Sequence, residues 1–483
     1  MAALGLAALL SSCASVQNDI RKTLGAPDLK GTRFGLVVMT MDGRELVSIR
    51  PDERFIPASN TKLFTVASAF HRLGDVSRPD PSMGAAVRIE PKGDAPPDIV
   101  LVGGGDAMLI DADDCERDCL SDLADMVLAN GIRRVGSIIG DDRVFPHEPW
   151  GPGWNQDDLI YRSGAPASAL IVNSNELVLQ IARGEKPGDP VRAQWRDDDA
   201  YYDIRNEAVT VEGDGDTLRI SMQAGDKALR LHGTLGVEAP PQTIPIAAND
   251  PAVVAAYRFR RLLQERGVEV TGEVGARHRP LTLADEPKTR GEGASSGESP
   301  AGAEIARLLP PPLIDDLRFL NKQSQNLHAE ALLRRLGLIE GGGSRSEGLA
   351  IVEKMLDETG ANRMEWDLSD GSGMSVYNRV TPRMMTRFLQ WTSRQPWAED
   401  FRSTLAVGGV DGTLSRRFRD TPLQGRIFAK SGTLTGTNTL SGFLLSAKGK
   451  MLIFSAYAND RPEEVGSATT ALDVALRQIA AAY

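Results

Sequence analysis

The sequence predicts an α+β protein: one antiparallel sheet flanked by helices, built from both ends of the chain and interrupted by a long, mostly β insertion. Three observations carry this. A hairpin followed by a helix stands near the start, a second hairpin and helix stand at the end, and the chain between them changes texture twice.

The first hairpin is "RFGLVVMTMDGRELVSI" (33–49), two alternating apolar runs joined at Asp42-Gly43, a strong turn pair. "IPASNTKLFT" (56–65) follows, with Leu63, Phe64, Val66, Ala67 and Phe70 at the spacing of a buried helix face. The closing hairpin, "TLSGFLLSAKGKMLIFSAYAND", turns at Lys448-Gly449-Lys450, and the amphipathic "EEVGSATTALDVALRQIAAAY" ends the chain. Between these ends, "DIVLVGGG", "SIIGDD", "ALIVNSNELVLQI" and "LRISMQA" are short β-like runs separated by turns. They stop at "EPKTRGEGASSGESPAG", too polar to bury a core and expected to be a mobile loop. Helical periodicity then resumes in "IDDLRFLNKQSQNLHAEALLRRLG". The expected division is one domain from 24–75 with 303–483, and an inserted 76–302 of two small, mostly β domains.

Composition excludes several classes of function. Hydrophobic content of 41% and charged content of 25% are those of a soluble globular protein. A balance of 55 basic against 65 acidic residues, net −10, disfavours nucleic-acid or anionic-membrane partners. No internal run approaches the ~18 apolar residues of a membrane helix. The opening "MAALGLAALLSS" is apolar and small, like a secretory h-region, and it runs into Cys13 as a bacterial lipobox does, although no Lys or Arg precedes it. Export is expected, with lipidation of Cys13; the alternative is a plain signal cut near Ala14. The other two cysteines, Cys115 and Cys119, are an even pair at a spacing a disulfide can span. No metal ligand set or cofactor motif stands out, and neither is expected.

The chemistry concentrates in three short motifs. Ser59 and Lys62 are three apart on a helix, so the amine and the hydroxyl share a face. A serine nucleophile needs a base, and the five histidines (His71, His147, His232, His278, His328) are scattered, with no G-x-S-x-G elbow. Lysine serves if burial and nearby cations lower its pKa. Ser324-Gln325-Asn326 stands before a helix, and Lys430-Ser431-Gly432-Thr433 leaves a short strand. S-x-x-K, S-x-N and K-[TS]-G in that order are the signature of β-lactamases and penicillin-binding proteins. A Ser/Asn pair before a helix is usually a cap, and Lys-Ser-Gly usually a turn; the ordered set is what argues for catalysis.

From about residue 30 to its end the chain resembles the D-alanyl-D-alanine carboxypeptidase/endopeptidase family, the class C low-molecular-mass penicillin-binding proteins. Besides the motifs and the long insertion between the first and second, "LVGGGDAML", "GDDRVFPHEPWGPGWNQDDLIYRSGAPASALIVNSNE", "DGSGMSVYNRVTP" and "LAVGGVDGTLSRRF" are similar to that family's stretches. The departures are Ser431 where threonine is commoner, the run "RLLPPPLIDDL" after the polar stretch, and an extra residue in "YRSGAP".

The resemblance implies a β-lactamase/transpeptidase-like domain acting on peptidoglycan stem peptides through an acyl-enzyme, with β-lactams as covalent inhibitors. It implies Ser59 as nucleophile, Lys62 as its base and Ser324 as proton relay to the leaving amine. Asn326 would hold Lys62 and a substrate amide, Lys430 would keep the cleft positive while Ser431 and Thr433 meet the terminal carboxylate, and the backbone N–H groups of Ser59 and Thr433 would receive the oxyanion. The alternatives are a β-lactamase or related esterase, and a non-catalytic peptidoglycan-sensing protein on the same fold.

Overall fold

Strand β1 (Arg33–Thr40) is apolar on both faces, and the computed structural model, which describes residues 16–196, 201–222, 227–290 and 302–483, shows why. β1 lies inside a six-stranded sheet, between β2 (Glu45–Ile49) and the chain's last strand, β12 (Met451–Asn459). The sheet continues through β11 (Thr437–Leu445), β10 (Ile427–Leu434) and the short β9 (Ala406–Val407). Gly43 makes the first hairpin possible: it sits at φ 96°, a conformation that favours glycine, and its N–H donates to the Thr40 carbonyl.

Side chains alternate across this sheet with period two, and each face is buried by helices. Met39, Phe443 and Ile453 pack under α2 (Lys62–Arg72), α5 (Leu313–Gln323), α6 (Asn326–Gly337), α7 (Arg345–Glu358) and α8 (Pro382–Thr392). Leu36, Val38, Leu444 and Phe454 face the other way, onto a helix over 16–24 (α1) and α10 (Ala468–Ala482). The short α9 (Ala398–Ser403) adds Phe401 to the first layer.

The inserted region holds its own cores. β3 (Ala86–Lys92), β4 (Ala95–Val102), β5 (Ile138–Pro146), β7 (Val274–Arg279) and β8 (Ala303–Arg307) form a five-stranded sheet in the order β7-β5-β4-β3-β8. Leu101 and Ile138 of that sheet pack on α3 (Leu120–Ala129) and α4 (Pro251–Glu265). A smaller body builds on β6 (Glu176–Ala182), flanked by Gln242–Ala247 and Arg192–Trp195, with Tyr202, Leu229 and Leu231 in its core. Cys115 and Cys119 are disulfide-bonded just before α3, with Cα atoms 5.8 Å apart.

Two expectations need adjusting, and two others fall wholly or partly outside the described residues. β8 pairs with β3, so the chain leaves the inserted sheet after Arg307, not at 302. The run 169–181 is not one strand: Asn173, Ser174 and Asn175 all take positive φ in a helical turn, and pairing starts only at Glu176. Of the loop expected over 286–302, residues 291–301 lie outside the described part, as does Cys13.

Phe388 is the ring through which α8 locks onto α2: it is fully buried and meets Phe64 edge-on with centroids 4.7 Å apart. Phe388→Ala should cost about 3–5 kcal/mol. Urea denaturation should therefore show a lowered midpoint with an unchanged slope.

Candidate active site

The serine that opens this site precedes α2 in a turn of 3-10 helix, Ala58–Thr61. The turn is strained at Ala58 (φ 46°) and clamped on two sides. Thr439 of β11 donates its hydroxyl to the Pro57 carbonyl at 2.9 Å and accepts from the Asn60 side-chain amide. On the other side lies Gly373, where an added Cβ would stand 1.9 Å from the Ala58 carbonyl oxygen. Only glycine fits there.

Lys62 begins α2 and is fully buried. Its Nζ donates to Ser59 Oγ at 3.0 Å, to Asn326 Oδ1 at 2.6 Å and to the Ser372 carbonyl at 2.6 Å. Three acceptors exhaust the three protons of an ammonium. Burial nonetheless lowers the Lys62 pKa to about 7, opposed by Asp370 and Glu330. Lys430, also fully buried, donates to Ser324 Oγ at 2.8 Å and to the Ser431 carbonyl at 2.8 Å. Burial, then the charge of Lys62, holds it well below the usual lysine range.

The second motif forms where two helices meet. Ser324 takes the left-handed conformation that ends α5, turning its hydroxyl toward Lys430, and Asn326 starts α6. The Asn326 amide donates to the Ser163 carbonyl at 2.8 Å, tying the site to the inserted region. In the third motif, Ser431 donates its hydroxyl to Thr413 Oγ1 at 2.7 Å, and Thr433 is exposed on the strand. β9 pairs with β10 only at Phe428 and Ala429, so Lys430 to Leu434 form a sheet edge facing the serine. Gly432 permits the approach: a Cβ there would lie 2.8 Å from the Ser59 nitrogen and 2.4 Å from Thr439 Oγ1.

The structure thus gathers Ser59, Lys62, Ser324, Asn326 and Lys430 into two neighbouring hydrogen-bond clusters, with Ser431 and Thr433 on the adjoining edge. It also brings in residues given no role from sequence. Asp370 and Glu330, both buried, hold the loop that presents the Ser372 carbonyl. Glu330 accepts from the N–H groups of Gly371 and Ser372 at 2.9 and 2.8 Å, and pairs with Arg334. Asp370 accepts from Gly373, Ser375, Asn378 and the Trp154 indole. Burial, then the charge of Glu330, raises the Asp370 pKa to about 6. The signal was present in "DGSGMS", where glycines alternate with polar residues, but its partners lie on distant elements. Next to Ser324 opens a cavity of about 630 Å³, lined also by Arg162, Asn173, Glu176 and Phe319.

A buried lysine bonded to a serine, with a second lysine–serine pair beside it, defines an active-site-serine hydrolase of the penicillin-binding type. The chain belongs to the D-Ala-D-Ala carboxypeptidase 3 (S13) family, whose model matches residues 16–479. It is 33% identical to the D-alanyl-D-alanine carboxypeptidase of Actinomadura sp. (strain R39), over 92% of this chain and 81% of that one. It is 24% identical to the D-alanyl-D-alanine carboxypeptidase DacB of Haemophilus influenzae, over 89% and 86%. The crystal structure of penicillin binding protein 4 (dacB) from H. influenzae shares the fold, with a TM-score of 0.79 at 22% identity, covering 95% of this chain and 98% of that one. The same protein in complex with a novel β-lactam matches with a TM-score of 0.75 at 21% identity, over 95% and 98%.

A base must be neutral to accept a proton, so a Lys62 pKa of about 7 sets the sign of the pH dependence. The rate of acylation by penicillin should fall about tenfold per pH unit below that value and level off above it. Stopped-flow acylation from pH 5 to 9 checks this; a rate still climbing to pH 9 would place the base elsewhere.

Proposed function

We propose that Ser59 is the nucleophile of a D-Ala-D-Ala carboxypeptidase, acylated by stem peptides and by β-lactams alike. The single observation that carries this is the buried Lys62 amine 3.0 Å from Ser59 Oγ, with its pKa depressed to about 7. Lys62 takes the serine proton as the oxygen attacks the carbonyl of the penultimate D-alanine. The developing oxyanion is met by the backbone N–H groups of Ser59 and Thr433, which Gly432 allows to converge. Ser324, its oxygen held by Lys430, relays the proton that Lys62 took on to the amine of the departing D-alanine, which leaves Lys62 neutral and Ser324 with its hydroxyl intact. Water then releases the acyl group, with Lys62 again as base. Asn326 positions Lys62 and accommodates the peptide amide, and Ser431 and Thr433 receive the terminal carboxylate beside Lys430.

The same serine cleaves cross-links between stem peptides. The carbon beyond the scissile amine bears only a methyl in D-alanine, but a long chain in a cross-linked product. The cavity of about 630 Å³ beside Ser324 is far larger than one D-alanine requires. Export completes the proposal, with anchoring through Cys13; the Cys115–Cys119 disulfide suits an oxidising compartment.

Mass spectrometry of the enzyme treated with penicillin should find the penicilloyl group on the Ser59 peptide, with none in Ser59→Ala and D-alanine release abolished there. Rapid turnover of nitrocefin in place of a stable adduct would favour a β-lactamase.

Lys430 distinguishes substrates by their carboxylate. A charge-assisted hydrogen bond contributes about 1.5–3 kcal/mol, about one to two powers of ten in rate. Lys430→Ala should lower kcat/KM by that factor for carboxylate-bearing substrates. A thioester with its carboxylate blocked should be slowed much less; equal losses would leave Lys430 with a structural role alone.

A further inference from the structure

Away from Ser59, the inserted sheet brings three metal-ligating side chains to one corner. Asp142 lies midway along β5, His147 just beyond its end, and His278 near the end of β7. One ligand atom from each lies within 4.8 Å of the others, the one such group of three among the described residues.

Their surroundings are arranged as an outer shell. Asp142 is buried, and its Oδ2 accepts the Ser168 hydroxyl at 2.9 Å, leaving Oδ1 directed at His278 Nδ1, 2.8 Å away. On the far side of that ring, His278 Nε2 stands 3.3 Å from Asp250 Oδ2, while the other oxygen of Asp250 caps α4 by accepting from the Val253 N–H. The backbone holds the second imidazole close: the His147 N–H donates to the Arg279 carbonyl at 2.7 Å, and the two histidine rings are 4.5 Å apart.

We propose that Asp142 Oδ1, His278 Nδ1 and an imidazole nitrogen of His147 bind one zinc ion, with water as fourth ligand. Two imidazoles and a carboxylate, with no thiolate, are a zinc donor set. Ligands ~2.0–2.2 Å from a tetrahedral ion lie about 3.4 Å from one another, so Asp142 Oδ1 and His278 Nδ1, now 2.8 Å apart, must part slightly to admit the ion, while the exposed His147 side chain swings in to complete the set. Asp250 is a positioning residue: by accepting from Nε2–H it fixes the tautomer that leaves Nδ1 for the metal. Ser168 likewise orients Asp142. When no metal is bound, Asp142 and Asp250 hold a proton on His278 and raise its pKa to about 10, so zinc must displace that proton to solvent.

The ion would pin the start of a segment that reaches the catalytic domain. The Glu148 carbonyl accepts from Arg334 of α6 at 2.7 Å, and farther along Trp154 donates to Asp370.

The full chain, stripped with chelator and dialysed, should bind one Zn²⁺ per molecule in calorimetry, at micromolar affinity or tighter. Cobalt in place of zinc should give the visible bands of a tetrahedral site. His147→Ala should abolish both signals while penicillin still acylates Ser59, which shows that the variant is folded. Asp250→Asn should weaken zinc about 10–100-fold. Absence of stoichiometric binding, or unchanged affinity in His147→Ala, would overturn the proposal and leave His278 as an imidazolium clamped between two carboxylates.

Discussion

A lysine with no exposure to solvent governs the organisation of this protein. Burying a charged amine is costly unless every proton finds an acceptor, and even then the neutral form gains ground. Lys62 has three acceptors, on three elements distant in sequence: Ser59 on its own turn, Asn326 at the head of α6 and the Ser372 carbonyl on the loop before α8. The geometry of the site is therefore the geometry of satisfying one ammonium group. Glu330 and Asp370 belong to the same constraint. They fix the loop carbonyl, and their charge keeps the lysine pKa from falling further than about 7.

Lys430 is the counterweight. It has two acceptors, and with Lys62 nearby the two cannot both hold a proton comfortably. A ligand that carries a carboxylate relieves that repulsion, so the site favours an anionic partner before any specific contact is counted. The free edge from Lys430 to Leu434 adds directional selectivity, because an extended peptide can lie along it as another strand.

Much of this was legible from residue order, and the limits are physical. Fold class followed from local patterning, since the hairpins at Asp42-Gly43 and Lys448-Gly449-Lys450 and the apolar face of α2 are short-range features. The motif residues were legible because their spacing is itself chemical: Ser59 and Lys62 must share a face. Glu330 and Asp370 were not, because their importance lies in whom they meet, and one pattern reads as an exposed helix charge and the other as a turn. Periodicity misled at 169–181, where apolar residues flank a turn whose positive φ values no hydrophobic pattern encodes. It also could not place 303–307, since a short strand carries no mark of the sheet it joins.

The pairing of β1 with β12 has a further consequence. Arg33 lies opposite Asn459, so the sheet that supports the nucleophile turn cannot close until the chain has been made through Asn459. Closing so long a loop is slow, whereas the five-stranded sheet of the insert needs nothing beyond Arg307. During synthesis the insert can reach its native pairing while the first hairpin still waits for its neighbour. Hydrolytic competence is thereby acquired after the insert has its fold, and a chain that stops before Met451 carries its serine and its lysine without the strand that would bring them to work.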